Sequence, residues 1–447
     1  MEMVLEFLRD VLSQPALLIG IMSCVGLVAL KRPFHKVMTG TLKPILGYLM
    51  LAAGAGVIVS NLDPLGKMIE HGFHITGVVP NNEAIVAVAQ KVLGVETMSI
   101  LVVGLLMNLC IARFTKFKYV FLTGHHSLFM ACLMSAVLGT AGLSGMELIL
   151  VGGFLMGAWS AISPAIGQSY TSKVTDGDEI AIGHFGSLGY YLSAWVAQYV
   201  GKAEDSTEDI EIPEKWGFLR DSTLSTALTM IVFYLIAAIA AGSEFVSTLS
   251  GDMSPYLYAV MSAMNFAVGV TIVYSGVRMI LGDLIPAFQG IATKIIPNAI
   301  PAVDCAVFFT YAPTAVVLGF LSSFIGGIIG MLILGAVGGV LIIPGLVPHF
   351  FCGATAGIYG NATGGRRGAA VGAFLNGLAI TFLPAMALPV LGQLGFQNTT
   401  FGDADFAVMG LVLGNAYEWV GMAGIYGIVA IAALVLIIPN FIKTKGK

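Results

Sequence analysis

A short set of ionisable side chains stands in otherwise apolar runs. They are Glu83, the pair His125-His126 in FLTGHHSLFM, His184 in AIGHFGSL, Asp304 in AIPAVDCAVFFTYAP, His349 in VPHFFCG and Glu418 in NAYEWVG. Carboxylates and imidazoles can move protons, bond to hydroxyls or hold a coupling ion. At membrane depth such groups are costly and by default mark a pathway. Each also has a plainer reading. His125 or His126 could be an interfacial histidine near the loop after Lys118, and His184 a surface residue close to TDGDE. Glu418 beside Trp419 could lie in a headgroup belt, and His349 could be a satisfied packing histidine. Asp304 carries the strongest case, because Pro301 and Pro313 bracket its run. About ten residues between prolines are too few to cross a hydrocarbon core, which needs roughly 20 helical residues. The spacing predicts a re-entrant half-helix carrying one acid toward the middle of a membrane. A short soluble core helix is the alternative, and composition excludes it.

Of 447 residues, 57% are hydrophobic and 10% charged, against about 25% charged in soluble domains. This is the composition of a polytopic membrane protein, and the 56 glycines suit close helix packing in lipid. The five cysteines, Cys24, Cys110, Cys132, Cys305 and Cys352, lie in apolar stretches with no CxxC. They read as buried thiols, with no metal site and no disulfide. Nothing suggests a redox centre, a P-loop or a nucleophile elbow, so no cofactor is expected. The two arginines of NATGGRRGAA (361–370) are a topology signal, not a nucleic-acid site.

The chain divides into an interfacial N-terminal helix (1–14), a first half (15–201), a hydrophilic cytoplasmic linker (202–222), a second half (223–440) and a basic cytoplasmic tail (441–447). The N-terminal MEMVLEFLRDVL lacks the basic region and cleavage site of a signal peptide. Basic clusters at LKRPFHK, RFTKFK, GRRG and IKTKGK read as cytoplasmic. Ten or eleven crossings plus re-entrant pieces are expected, including a span over about Val120–Gly139, with Gly-rich apolar segments at about Thr314–Val337 and Gly338–Phe351. The Gly- and Pro-rich breaks near the polar residues leave backbone groups that protein, water or a ligand must satisfy. Open backbone with His and Asp suits a polyhydroxylated solute.

An internal repeat accompanies these breaks. LMLAAGAGVIVSNLDPL (49–65) aligns with TIVYSGVRMILGDLIPA (271–287) at an offset of 222, matching Gly54 to Gly276 and Pro64 to Pro286. The same offset sets Asn82 on Asp304. The expected topology runs the two copies in opposite directions, an inverted repeat of the kind in which transporters hold substrate at the midplane.

The strings LTGHH (122–126), VTDGDEIAIGH (174–184), GKAEDSTEDIEIPEKW (201–216), STLSTAL (222–228), IPAVDCAVFFTYAPTAVVLGF (300–320) and LIIPGLVPHFF (341–351) resemble the membrane IIC permease of the ascorbate-type bacterial phosphotransferase system. The resemblance covers nearly the whole chain. It implies an all-α protein of about 11 transmembrane helices in the bacterial plasma membrane, and a homodimer of core and V-shaped dimerisation domains. It also implies elevator-like movement, with the sugar phosphorylated by a cytosolic IIB charged through IIA, HPr and enzyme I. The phosphoryl donor lies on IIB, so no catalytic residue is expected here. The family's substrate-binding residues map to His125, His184 and Asp304. Its glutamines fall on Phe129 and Phe185, and its Thr-Tyr pair on Asn82-Glu83. The resemblance implies ascorbate or a related sugar or sugar acid as substrate; these departures suggest another sugar or sugar acid that stacks on the two phenylalanines, with Asn82 and Glu83 bonding hydroxyls.

Two other classes compete. An ion-coupled secondary transporter would use Asp304 or Glu83 as its coupling acid, and a membrane-embedded enzyme would need a catalytic constellation that the sequence lacks.

Overall fold

The computed structural model describes residues 14–74, 77–80, 82–177, 179–210, 222–396 and 399–441. The N-terminal stretch through residue 13, residues 211–221 of the linker and the tail from residue 442 lie outside them.

Helices α1 (Pro15–Ala29) and α2 (Phe34–Gly72) come first. After strand β1 (Val79–Pro80) come α3 (Asn82–Phe114), strand β2 (Tyr119–Phe121), α4 (Gly124–Thr140), α5 (Gly145–Thr175), strand β3 (Ala181–Ile182) and α6 (Ser187–Val200). The second half holds α7 (Ser222–Ala241), α8 (Ser243–Ser250), α9 (Pro255–Lys294), strand β4 (Ile300–Val303), a 3-10 helix (Cys305–Thr310) and α10 (Pro313–Ala336). It ends with α11 (Leu346–Ala387), a 3-10 stretch (Leu388–Phe396), strand β5 (Thr399–Thr400), α12 (Ala404–Val420) and α13 (Met422–Phe441). Six described helices are long and apolar enough to cross a membrane, or seven if the pair Met230–Ala241 and Ser243–Ser250, bent by 117°, is one span. The protein is a polytopic helical membrane protein.

The helices pack in two groups. A scaffold group joins α1, α2, α7, α8 and α9, and a core group joins α3 to α6 with α10 to α13. Glycines set the tightest crossings. A Cβ on Gly47 would lie 2.8 Å from the carbonyl oxygen of Gly276, and one on Gly54 would lie 2.7 Å from that of Gly269. Helices α2 and α9 therefore meet backbone to backbone, where dispersion rather than the hydrophobic effect holds helices in lipid. In the core group, a Cβ on Gly357 would lie 2.6 Å from the Cα of Gly319, which brings α11 as close to α10.

Two expectations are corrected. The run around Asp304 is not an α-helical half-span: it is strand β4 followed by a 3-10 helix that Asp304 caps. Pro301 fits this strand because β3 pairs only with Ala302 and Val303 on that side. The stretch read as a span over Val120–Gly139 is likewise strand β2 followed by the 17-residue α4. Helix α11 runs through residues 361–370 with a sharp break at Gly364 and Gly365, where Gly365 takes φ 60°.

The described start of the linker is mostly exposed and is anchored to the core at a few points. Thr207 is buried, and its N–H donates to Asn361 Oδ1 at 2.8 Å. The Arg366 N–H, just past the α11 break, donates to the Asp205 carbonyl at 2.8 Å. Glu208 accepts from the N–H groups of Thr314 and Ala315 at 3.0 and 3.1 Å. It thereby caps the unpaired first turn of α10.

Candidate functional site

Five short strands deliver the polar residues of one cavity. Strands β2, β4 and β3 form a parallel sheet with β4 in the centre. Strands β1 and β5 form a second parallel pair. Backbone that leaves the helical pattern at membrane depth must be paired within protein, and these sheets do that. Side chains just past the strand ends then share one space. His125 and His126 follow β2, His184 follows β3, Asp304 follows β4, Asn82 follows β1 and Asp403 follows β5.

That space is a cavity of about 650 Å³, lined among others by Tyr48, Asn82, His125, His126, Phe129, His184, Asp304, Asp403, Pro348 and Phe351. Among the described residues lining it there is no Lys or Arg. At its mouth side His125, with a side chain 35% exposed, sets Nε2 at 3.3 Å from Asp304 Oδ2. The other carboxylate oxygen of Asp304 accepts the Ala306 N–H at 3.0 Å, which fixes the acid. Tyr48 on α2 approaches the other ring nitrogen of His125, Nδ1, at 2.9 Å.

Deeper in, His126 and His184 face each other with ring centroids 3.7 Å apart. The Gly186 N–H donates to His184 Nδ1 at 3.1 Å, and the Phe185 N–H reaches His126 Nδ1 at 3.4 Å. In the neutral rings these backbone donors place the proton on Nε2, leaving an N–H for a ligand oxygen. Asp403 lies beside them, with Oδ2 3.8 Å from His126 Nδ1. It accepts from Asn82 Nδ2 at 3.1 Å and from Cys352 Sγ at 3.0 Å. The Asn82 side-chain oxygen accepts the Gly402 N–H at 2.8 Å, so the two loops brace each other.

The base of this arrangement is held by Asp405. Fully buried, it accepts from Ser187 Oγ at 2.8 Å, from the Leu188 N–H at 2.9 Å and from Trp159 Nε1 at 3.2 Å. It caps the first turn of α6 and thereby fixes the His184 loop.

Asn82, His125, Phe129, His184 and Asp304 are thus brought to one cavity. Phe185 is not part of its lining. It is fully buried and stacks on Phe121 at 4.7 Å between ring centroids, with Phe406 at 5.7 Å. The expected pair of phenylalanines around a ligand is therefore one, Phe129, with Phe351 on another wall. Glu83 is the second residue of α3, and its side chain lies outside the described residues. His349 is a packing residue whose Nδ1 meets Ser323 Oγ at 2.9 Å. Glu418 is exposed near the end of α12.

Sequence reasoning passed over Asp403, Tyr48 and the inward role of His126. Asp403 had a signal in GDADF, where two acids stand directly before an apolar run. Tyr48 had none, since tyrosine is unremarked in an apolar helix. Three overlapping groups could supply ligands to a cation: His125, His126 and Asp304; His126, His184 and Asp403; His184, Asp304 and Cys305. The same donors and acceptors suit the hydroxyls of a sugar.

Residues 10–405 match the profile of EIIC-GAT, described as a PTS system sugar-specific permease component. The chain is also 26% identical to the "Ascorbate-specific PTS system EIIC component" of Mycoplasma pneumoniae, over 92% of this chain and 70% of that protein. The match includes every residue that lines the cavity, and the chain belongs to the family of sugar-specific permease components of the phosphotransferase system, multi-pass proteins of the bacterial plasma membrane.

Proposed function

We propose that this permease translocates ascorbate or a related sugar acid, coupled to its phosphorylation by a cytosolic IIB that is charged through IIA, HPr and enzyme I. The single observation that carries the reading is the convergence of strand ends on one cavity, where His125 and Asp304 pair at 3.3 Å. Asn82, Glu83, His125, Phe129, His184 and Asp304 are the proposed substrate residues, and Asp403 and His126 join them. Phe185 supports the wall from behind. The name of the Mycoplasma pneumoniae relative supports ascorbate. In the coupled step a phosphoryl group leaves a phosphohistidine or phosphocysteine on IIB. A substrate hydroxyl forms the new O–P bond and gives up its proton. The permease contributes by positioning that hydroxyl.

The finer architecture belongs to the same proposal: about 11 crossings, an inverted repeat, a homodimer and an elevator-like movement of the core group against the scaffold group. The 222-residue offset supports the repeat. Shifted by it, α2 (Phe34–Gly72) falls on 256–294, and α9 is Pro255–Lys294. Shifted likewise, α3 (Asn82–Phe114) falls on 304–336, and α10 ends at Ala336. The α2–α9 crossing is reciprocal, as a two-fold relation requires. Gly47 meets Gly276 and Gly54 meets Gly269, while the offset maps Gly54 to 276 and Gly47 to 269.

Asp304 and Asp403, in a cavity with no Lys or Arg among the described residues that line it, also suit a second reading, an ion-coupled transporter. Uptake of labelled ascorbate into proteoliposomes, with and without a phosphorylated IIB inside, separates the two. Accumulation only with the phosphoryl donor is expected.

A further inference from the structure

Tyr48 belongs to the scaffold helix α2, yet its hydroxyl lies 2.9 Å from Nδ1 of His125 in the core group. With His125 Nε2–H donating to Asp304 at 3.3 Å, Nδ1 carries the lone pair and Tyr48 O–H is the donor. The ring of Tyr48 is buried, and it also lines the cavity. One hydroxyl of the protein thus occupies the His125 nitrogen that a hydroxylated solute would otherwise meet.

We infer that Tyr48 is a latch. In the empty protein its hydroxyl stands in for a substrate hydroxyl on His125 and ties the core group to the scaffold group. A solute hydroxyl that takes its place on Nδ1 frees the core to move. The repeat adds a direction, and this step rests on the inverted-repeat reading proposed above. At the offset of 222, Tyr48 corresponds to Val270 and His125 to Val347. Neither valine side chain can form a hydrogen bond. In an inverted repeat the two conformations exchange the roles of the halves. The latch therefore holds one conformation and has no counterpart in the other, so an empty carrier rests on the latched side.

The plainer alternative is that Tyr48 only packs. Its ring belongs to the same buried apolar cluster as Ile19, Leu51 and Ile280. Tyr48→Phe keeps that packing and removes only the hydroxyl, so it distinguishes the two roles.

The test uses the full chain in lipid nanodiscs with no solute added. Cys24 and Cys110 are replaced by serine, and nitroxide labels are set at Ile236 on α7 and Val412 on α12, both exposed. The distance distribution between labels reports the core against the scaffold. Tyr48→Phe should raise the minor population about two- to tenfold, the range that follows from the net worth of one hydrogen bond. His125→Ala should do the same, and the double variant should rise no further than the larger single one. A Tyr48→Phe distribution that superimposes on the wild type overturns the latch. So does a double variant whose effect is the product of the two. Neither result touches the permease reading, which is tested by uptake coupled to a phosphoryl donor.

Discussion

Asn82 and Asp403 stand 321 residues apart and join at 3.1 Å, each just past the end of one strand of the β1–β5 pair. The contact is reciprocal in function: Asn82 donates to the Asp403 carboxylate and accepts the Gly402 N–H. The cavity floor is therefore a clasp between the start of α3 and the start of α12. An acid held there by an amide and a thiol is oriented before any solute arrives.

Asp403→Ala removes the acceptor and leaves Asn82 and Cys352 without it. Losing a buried partner costs about 1–3 kcal/mol. Uptake should fall about tenfold or more, while the protein still extracts from membranes as a folded species. Asn82→Ala should have the smaller effect, within about tenfold, because the carboxylate remains. Initial uptake rates across solute concentrations measure both.

Phe129 and Phe185 should behave differently when each is replaced by glutamine. Phe129 lines the cavity, so Phe129→Gln adds an amide within reach of a ligand hydroxyl. Ascorbate affinity should rise about fivefold or more, by isothermal titration of purified protein. Phe185 is enclosed by Phe121 and Phe406. Phe185→Gln should instead lower the melting temperature, since a buried amide without partners is costly.

Why these differences escaped the sequence is physical. Asp304, His125 and His184 were legible because a charged or titratable group in an apolar run is expensive and conspicuous. Which side of a loop a neighbouring residue faces is not encoded by adjacency, and Phe185 sits directly after His184 yet points into the core. The sheet β2–β4–β3 pairs Tyr119 with Ile300 and Ala181 with Ala302, contacts too distant in sequence to leave a local pattern. The strand at β4 was masked by two prolines, which read as helix breaks. Asp403 escaped because its acid precedes an apolar run and resembles an ordinary helix start.

The crossing of α2 and α9 tolerates no side chain at its closest points. Gly47→Leu should prevent that approach, because a Cβ alone would already lie 2.8 Å from a carbonyl oxygen. Overpacking of this kind costs about 1–3 kcal/mol. A lowered melting temperature is expected, whereas Gly56→Ala should be nearly silent, because nothing lies within 4 Å of its Cβ position.

Glu208 should matter for stability and not for ligand contact. It caps α10 with two backbone N–H groups and the Thr314 hydroxyl. Glu208→Ala should destabilise the protein by about 0.5–2 kcal/mol. Thermal unfolding in detergent measures this, and ligand affinity in the folded fraction should be unchanged.

The central claim is that the cavity around His125 and Asp304 serves a permease whose transport is coupled to phosphorylation. The most direct measurement is accumulation of radiolabelled ascorbate in proteoliposomes that contain this protein, with the phosphoenolpyruvate-fed cascade through IIB supplied inside or withheld. The account predicts phosphorylated ascorbate inside only when the cascade is complete, and none above background for Asp304→Asn. Equal accumulation of unmodified ascorbate driven by a proton or sodium gradient alone, with no phosphoryl donor present, would contradict it.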